Sequence, residues 1–124
     1  MAFGLLSTPA RKITRPIRRG YEYRLAFQFT VGENQKPLKL SAYTITVKLR
    51  ATAAYDSTVL ATFTNDLVNG DAGWVDVYLT GPQTGGLTAA GIGGYLHATI
   101  NGTETNSTDW RFAYGAIPVL EAAA

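Results

Sequence analysis

The sequence predicts an all-β fold, a two-sheet β-sandwich, on three observations. Apolar residues recur with period two in several short runs. Those runs are separated by clusters of Gly, Pro, Asn and Asp. No window carries the 3.6-residue period of a long amphipathic helix. The length of 124 residues suits one domain, and 46 % hydrophobic against 16 % charged residues is the balance of a chain that folds. A small barrel is the alternative architecture.

Residues 1–20 differ from everything after them. They hold Arg11, Lys12, Arg15, Arg18 and Arg19, no acid, and two prolines, Pro9 and Pro16, that push their neighbours toward extended backbone. They read as an extended basic N-terminal arm, with Gly20 as its hinge and order supplied by a partner. Residues 21–120 are the expected sandwich, and 121–124 a short tail. The body carries six basic against nine acidic side chains, so the overall net charge of +2 hides a cationic leader on a mildly acidic domain.

The first strand follows at once, with Tyr21, Tyr23, Leu25, Phe27, Phe29 and Val31 on one face and Glu22, Arg24, Gln28 and Thr30 on the other. Gly32–Pro37 supplies turn chemistry, and Leu38 and Leu40 form a short edge piece. Tyr43, Ile45, Val47 and Leu49 alternate in a second clear strand. Val59–Thr64 is a weaker strand. Asn69–Gly73 is a turn, after which Val75, Val77 and Leu79 oppose Trp74, Asp76 and Tyr78. Gly81–Gly94 reads as a loop with one helical turn around Leu87–Ala90. Leu96, Ala98 and Ile100 then point inward, and a polar loop leads to Trp110, Phe112 and Tyr114 on one face of the last strand. The total is about seven strands over roughly 100 residues.

Few residues point to chemistry. With no Cys, disulfides, thiol catalysis and iron–sulfur sites are excluded, and zinc lacks ligands. His97 is the only histidine and faces away from Leu96 and Ala98, the place of a surface residue. Neither a nucleophile elbow nor a phosphate loop is present: the glycines at 85–86 and 91–94 lack a following Lys-Ser/Thr and helix. Asp66, Asp71 and Asp76 are too sparse for a calcium loop. The sequons at Asn101 and Asn106 fit a polar loop. No enzyme activity, metal or cofactor is expected. Met1–Leu6 lacks a signal peptide's cationic start, and no apolar run is long enough to span a membrane. Trp74, Tyr78 and Trp110 are candidate aromatics for a subunit interface or a glycan platform, set against the more common core role. The arm could contact phosphates, but its cations are interleaved with prolines and apolar residues, so nucleic acid is disfavoured.

Four phrases carry a resemblance. Ile17-Arg18-Arg19-Gly20-Tyr21-Glu22-Tyr23-Arg24-Leu25, Leu40–Arg50, Gly91–Leu96 and Trp110–Val119 occur in that order across residues 17–120. Together they resemble the small immunoglobulin-like structural domains of tailed bacteriophages, in particular the N-terminal domain of the baseplate upper protein. Gly20-Tyr21-Glu22 stands where that family has Gly-Asp. The resemblance implies an immunoglobulin-like sandwich and a non-enzymatic virion protein of the tail, baseplate or connector. Its expected partners are other virion proteins and copies of itself, arranged as a homo-oligomer in a ring or lattice. In that picture the arm crosses a neighbour, with Arg11, Lys12, Arg15, Arg18 and Arg19 pairing with acids while Phe3, Leu5 and Leu6 fill apolar grooves. A capsid decoration (cement) protein fits the same physics, and a carbohydrate-binding module is the reading from another class.

Overall fold

The computed structural model describes residues 10–31, 36–38, 40–69, 72–102 and 110–121. Strands in chain order are β1 (Arg11–Lys12), β2 (Ile17–Arg18), β3 (Tyr23–Gln28), β4 (Thr30–Val31), β5 (Lys36–Pro37), β6 (Thr44–Arg50), β7 (Val59–Thr62), β8 (Thr64–Asn69), β9 (Trp74–Leu79), β10 (Ala90–Asn101) and β11 (Trp110–Leu120). A 3-10 turn spans Leu40–Ala42, and a helical turn, α1, spans Gly81–Gly85.

Two sheets make the sandwich. The larger runs β1–β11–β10–β6–β7, with β2 also on β11, and the smaller runs β3–β9–β8. The N-terminal pieces β1 and β2 run parallel to the last strand, and β3 lies in the opposite sheet. The β4–β5 ribbon is a short appendage.

Alternation explains the core. Tyr23, Leu25 and Phe27 of β3 and Val75, Val77 and Leu79 of β9 face Ile45, Val47 and Leu49 of β6 and Leu96, Ala98 and Ile100 of β10, all buried. Their register partners are likewise buried, as Leu25 with Val77 and Ala98 with Val47, and the residues that alternate with them along each strand face outward. No disulfide links the sheets; a ring cluster does, with Phe112 edge-on to Phe27 at 5.0 Å and to Phe29 at 4.9 Å between centroids. Where a short edge piece was expected at Leu38 and Leu40, the regular pieces are β5 and the 3-10 turn, and both leucines are buried.

Residues 11–19 correct the expected arm. Arg11 and Lys12 pair with Ala113 and Tyr114, Ile17 and Arg18 with Val119 and Leu120, and Ile13 and Ile17 are buried in the core. The described part of the basic segment is therefore part of the sandwich. Its order comes from the chain's own last strand, which offers it backbone hydrogen bonds and an apolar seam. Gly20 is no free hinge. It sits at φ +86° in a turn whose amide donates to the Thr84 hydroxyl at 3.0 Å. Phe3, Leu5 and Leu6 lie outside the described residues.

Two local expectations also shift. The helical turn falls at Gly81–Gly85 instead of Leu87–Ala90, because Thr80 and Gln83 form a reciprocal capping box with Pro82 in the first turn. In β11, Ala98 pairs with Ala113 but Thr99 pairs with Arg111, so Phe112 is an extra, bulged residue. That bulge resets the alternation. Phe112 points into the core while Tyr114 lies opposite His97 on the outer face, not on Phe112's side.

Candidate functional site

The arginines of the N-terminal segment are used within the chain. Arg11 donates to the Ala26 carbonyl at 3.2 Å and Arg15 to the Arg24 carbonyl at 2.7 Å, while the Tyr23 hydroxyl donates to the Arg15 carbonyl at 2.8 Å. These carbonyls lie on alternate residues of β3, along the edge that β9 leaves open. The guanidiniums also stack, Arg11 over Phe27 at 5.4 Å and Arg15 over Tyr23 at 4.4 Å. Capping an open strand edge with cations blocks pairing by another chain. Further along, Arg18 donates to the Glu121 carbonyl, and Arg19 pairs with the Glu121 carboxylate and donates to Gly85 O. Burial pushes the Tyr23 phenol above its ordinary value, and Arg15 partly offsets this. Four of the five cations expected to dock on a neighbour thus close the domain's own seam. Lys12 is the exception.

Lys12 points onto the outer face of the large sheet. There the cross-strand register places Lys12, Tyr114, His97, Lys48 and Thr62 in one row across five strands. Beside that row, Tyr95 lies opposite Arg50, and Thr99 opposite Thr46 and Arg111. A shallow groove of about 260 Å³ is lined by Lys12, Ala53, Tyr95, His97, Arg111 and Tyr114, and it adjoins hollows lined by Tyr55, Lys48 and Arg50. Arg111 stacks on Tyr114 at 4.7 Å, Arg50 lies 6.0 Å from the Tyr55 ring, and Tyr55 is 69 % exposed. The Arg50 guanidinium donates to Ser57 O at 2.6 Å, and His97 Nε2 lies 3.1 Å from Thr52 O. These bonds hold the loop after β6 against the face.

The strands of this sheet contain no Asp or Glu. Asp56, in the loop between β6 and β7, is exposed. The face is cationic, aromatic and shallowly grooved, and among the described residues its strands carry no carboxylate beside His97. Among the described residues no group of His, Asp and Glu could hold a metal ion. Among the described residues no helix is long and apolar enough to cross a membrane.

The opposite outer face, on the small sheet, has the other sign. Asp66 and Asp76 lie directly across from each other on β8 and β9, an unfavourable like-charge pair. Arg24 bridges them, 3.1 Å from Asp76 and 3.7 Å from Asp66, and also holds Glu22 at 2.8 Å. Hydrogen bonds to Glu22 first and then Asp76 push the Arg24 pKa further up. One cation among three acids leaves the cluster net negative.

The aromatic candidates separate. Trp74, 41 % exposed, and Tyr78 share this acidic face, where Arg24 covers the Tyr78 ring at 4.5 Å. Trp110 lies in the other sheet, packed against the core. They form no common platform. Sequence reasoning missed the cationic row entirely, since it depends on register between strands far apart in the chain. Compared with known proteins, the chain matches no family model and no curated protein.

Proposed function

We propose that this chain is a non-enzymatic structural module of a tailed-phage virion, acting by assembly in the tail, baseplate or connector region. The observation that carries the assembly part is the carboxylate-free row of Lys12, Tyr114, His97 and Lys48 on an open sheet face. A shallow, open face that presents Arg50 and Arg111 among tyrosines suits a protein surface better than a small substrate, which needs a deeper and largely enclosing site. The tailed-phage part rests on the ordered resemblance of the four sequence phrases. Its partners are other virion proteins and copies of itself. Lys12, rather than the whole arginine set, is the contact residue from the N-terminal segment.

The test is incorporation. Particles produced with a tagged chain contain it in fixed stoichiometry, and the folded double variant Lys12→Glu/Lys48→Glu is excluded from them. Purified particles that lack the wild-type chain overturn the proposal. Copy number separates the placements: hundreds per particle indicate a capsid decoration protein, whereas a dozen or fewer per ring indicate the tail.

A further inference from the structure

We infer that the chain associates head to tail with a second copy of itself, the cationic outer face of the large sheet docking on the acidic outer face of the small sheet. This deepens the assembly reading by naming the partner. The two faces lie on opposite sides of the sandwich and differ in charge sign. One carries Lys12, Lys48 and Arg111 with no carboxylate in its strands; the other carries Glu22, Asp66 and Asp76 around Arg24.

The sandwich geometry decides the kind of assembly. An interface that joins two different faces is heterologous, so each copy keeps one face open and the contact propagates into a ring or a stack. Like faces repel, which disfavours a closed two-fold dimer through either sheet. Aromatics accompany the charges on both sides. Tyr114 and Tyr55 stand among the cations, and Trp74 stands beside the acids at 41 % exposure. Such groups add buried area at low entropic cost and stack on arginine.

The size of the contact sets its strength. Three strands at about 4.8 Å spacing and six residues at about 3.4 Å give a footprint near 15 by 20 Å on the small sheet. That is below the roughly 800 Å² per partner of a standard stable interface, so a single contact is weak and gains strength only in a closed ring.

The experiment is sedimentation velocity of the full chain from 10 µM to 1 mM, at low salt and at 0.5 M NaCl. The expected result is a mass that rises with concentration at low salt and returns to the monomer at high salt. Two reversal variants sharpen it. Lys12→Glu/Lys48→Glu cancels the positive charge of the large-sheet face, because two carboxylates then balance Arg50 and Arg111, and Glu22→Lys/Asp66→Lys makes both faces basic. Each is monomeric alone, and their equimolar mixture associates. If either fails to fold by circular dichroism, Lys12→Gln/Lys48→Gln and Asp66→Asn take their places, and each weakens association at least tenfold. A wild-type chain that stays monomeric at 1 mM and low salt overturns the inference, as does a mixture of folded variants that does not associate. Retention of a monomeric wild type on polyphosphate, lost in the lysine variants, overturns it too and assigns the face to an anionic polymer. A chain that is monomeric in solution yet enters particles refutes this inference and leaves the proposed function standing. Association without entry into particles does the reverse.

Discussion

Ile17 is the residue on which the place of the N-terminal segment turns. It is fully buried and pairs in parallel with Val119. Ile17→Ala removes three carbons, about 2.4 kcal/mol of transfer free energy at ~0.8 kcal/mol each. A residual cavity of up to ~80 Å³ adds up to ~2 kcal/mol at ~24 cal/mol per Å³. The seam lies at the edge of the core and can partly collapse, so the total is about 3–4 kcal/mol. In urea, with a slope near ~1.5 kcal/mol/M, the unfolding midpoint falls by about 2 M at unchanged slope. Thr14→Ala, at an exposed position three residues earlier, is the control and stays within about 0.5 kcal/mol. If Ile17→Ala also stays within about 0.5 kcal/mol, the segment is not part of the core and the reasoning fails.

Three more outcomes follow from the same seam. Gly115 holds φ +148°, and an added Cβ would run into the Ile13 carbonyl, so Gly115→Ala costs at least about 1–3 kcal/mol in denaturant melts by displacing β1 from β11. A wild-type midpoint in that variant would contradict the packing. The fully buried Thr84 hydroxyl takes the Gly20 amide and meets the Tyr21 carbonyl at 2.8 Å, so Thr84→Val strands both groups. It destabilises by about 1–3 kcal/mol in thermal unfolding, and Thr84→Ser recovers most of the loss; equal losses in both would refute the hydrogen-bond account. Tyr23 titrates above its ordinary value because burial disfavours the phenolate. Its contribution is complete below about pH 10, where both states are protonated, and is lost as pH rises from there through the folded value, because the unfolded chain releases its proton first. Tyr23→Phe flattens that alkaline decline, and an identical decline in both proteins would count against it.

The seam also explains why the cations of the N-terminal segment are arginines with defined partners. A guanidinium can stack on a ring and donate to a carbonyl at once, as Arg15 does with Tyr23 and the Arg24 carbonyl. The segment bridges both sheets: its backbone joins the large one, and its side chains close the open edge of the small one. Proteins whose strand edges would otherwise be exposed commonly use charge in this way. The edge strand β7 at the other end of the large sheet leaves Val59 and Leu60 exposed.

Local pattern was enough wherever side chains repeat within one strand. The alternations in Tyr23–Gln28, Thr44–Arg50 and Trp74–Leu79 belong to single runs of chain, and the sandwich, its inward residues and the outward His97 follow from them. The capping box at Thr80 and Gln83 was equally local and could have placed the helical turn. Other features depend on which strands meet. The basic segment reads as a loose arm because its partner strand lies at the far end of the chain, as Arg19 and Glu121 show by pairing 102 residues apart. The bulge at Phe112 moves Tyr114 to the outer face, which period two cannot anticipate. The row of Lys12, Tyr114, His97 and Lys48 exists only in register across four strands. Within the regularly alternating strands, sequence by itself determined which residues hide from water, because burial there follows the pleat. Ile13 and Ile17, by contrast, are buried only by pairing with the last strand. Tertiary structure decided which charges share a face, because pairing between distant segments sets that, and with it the surface this domain offers to a partner.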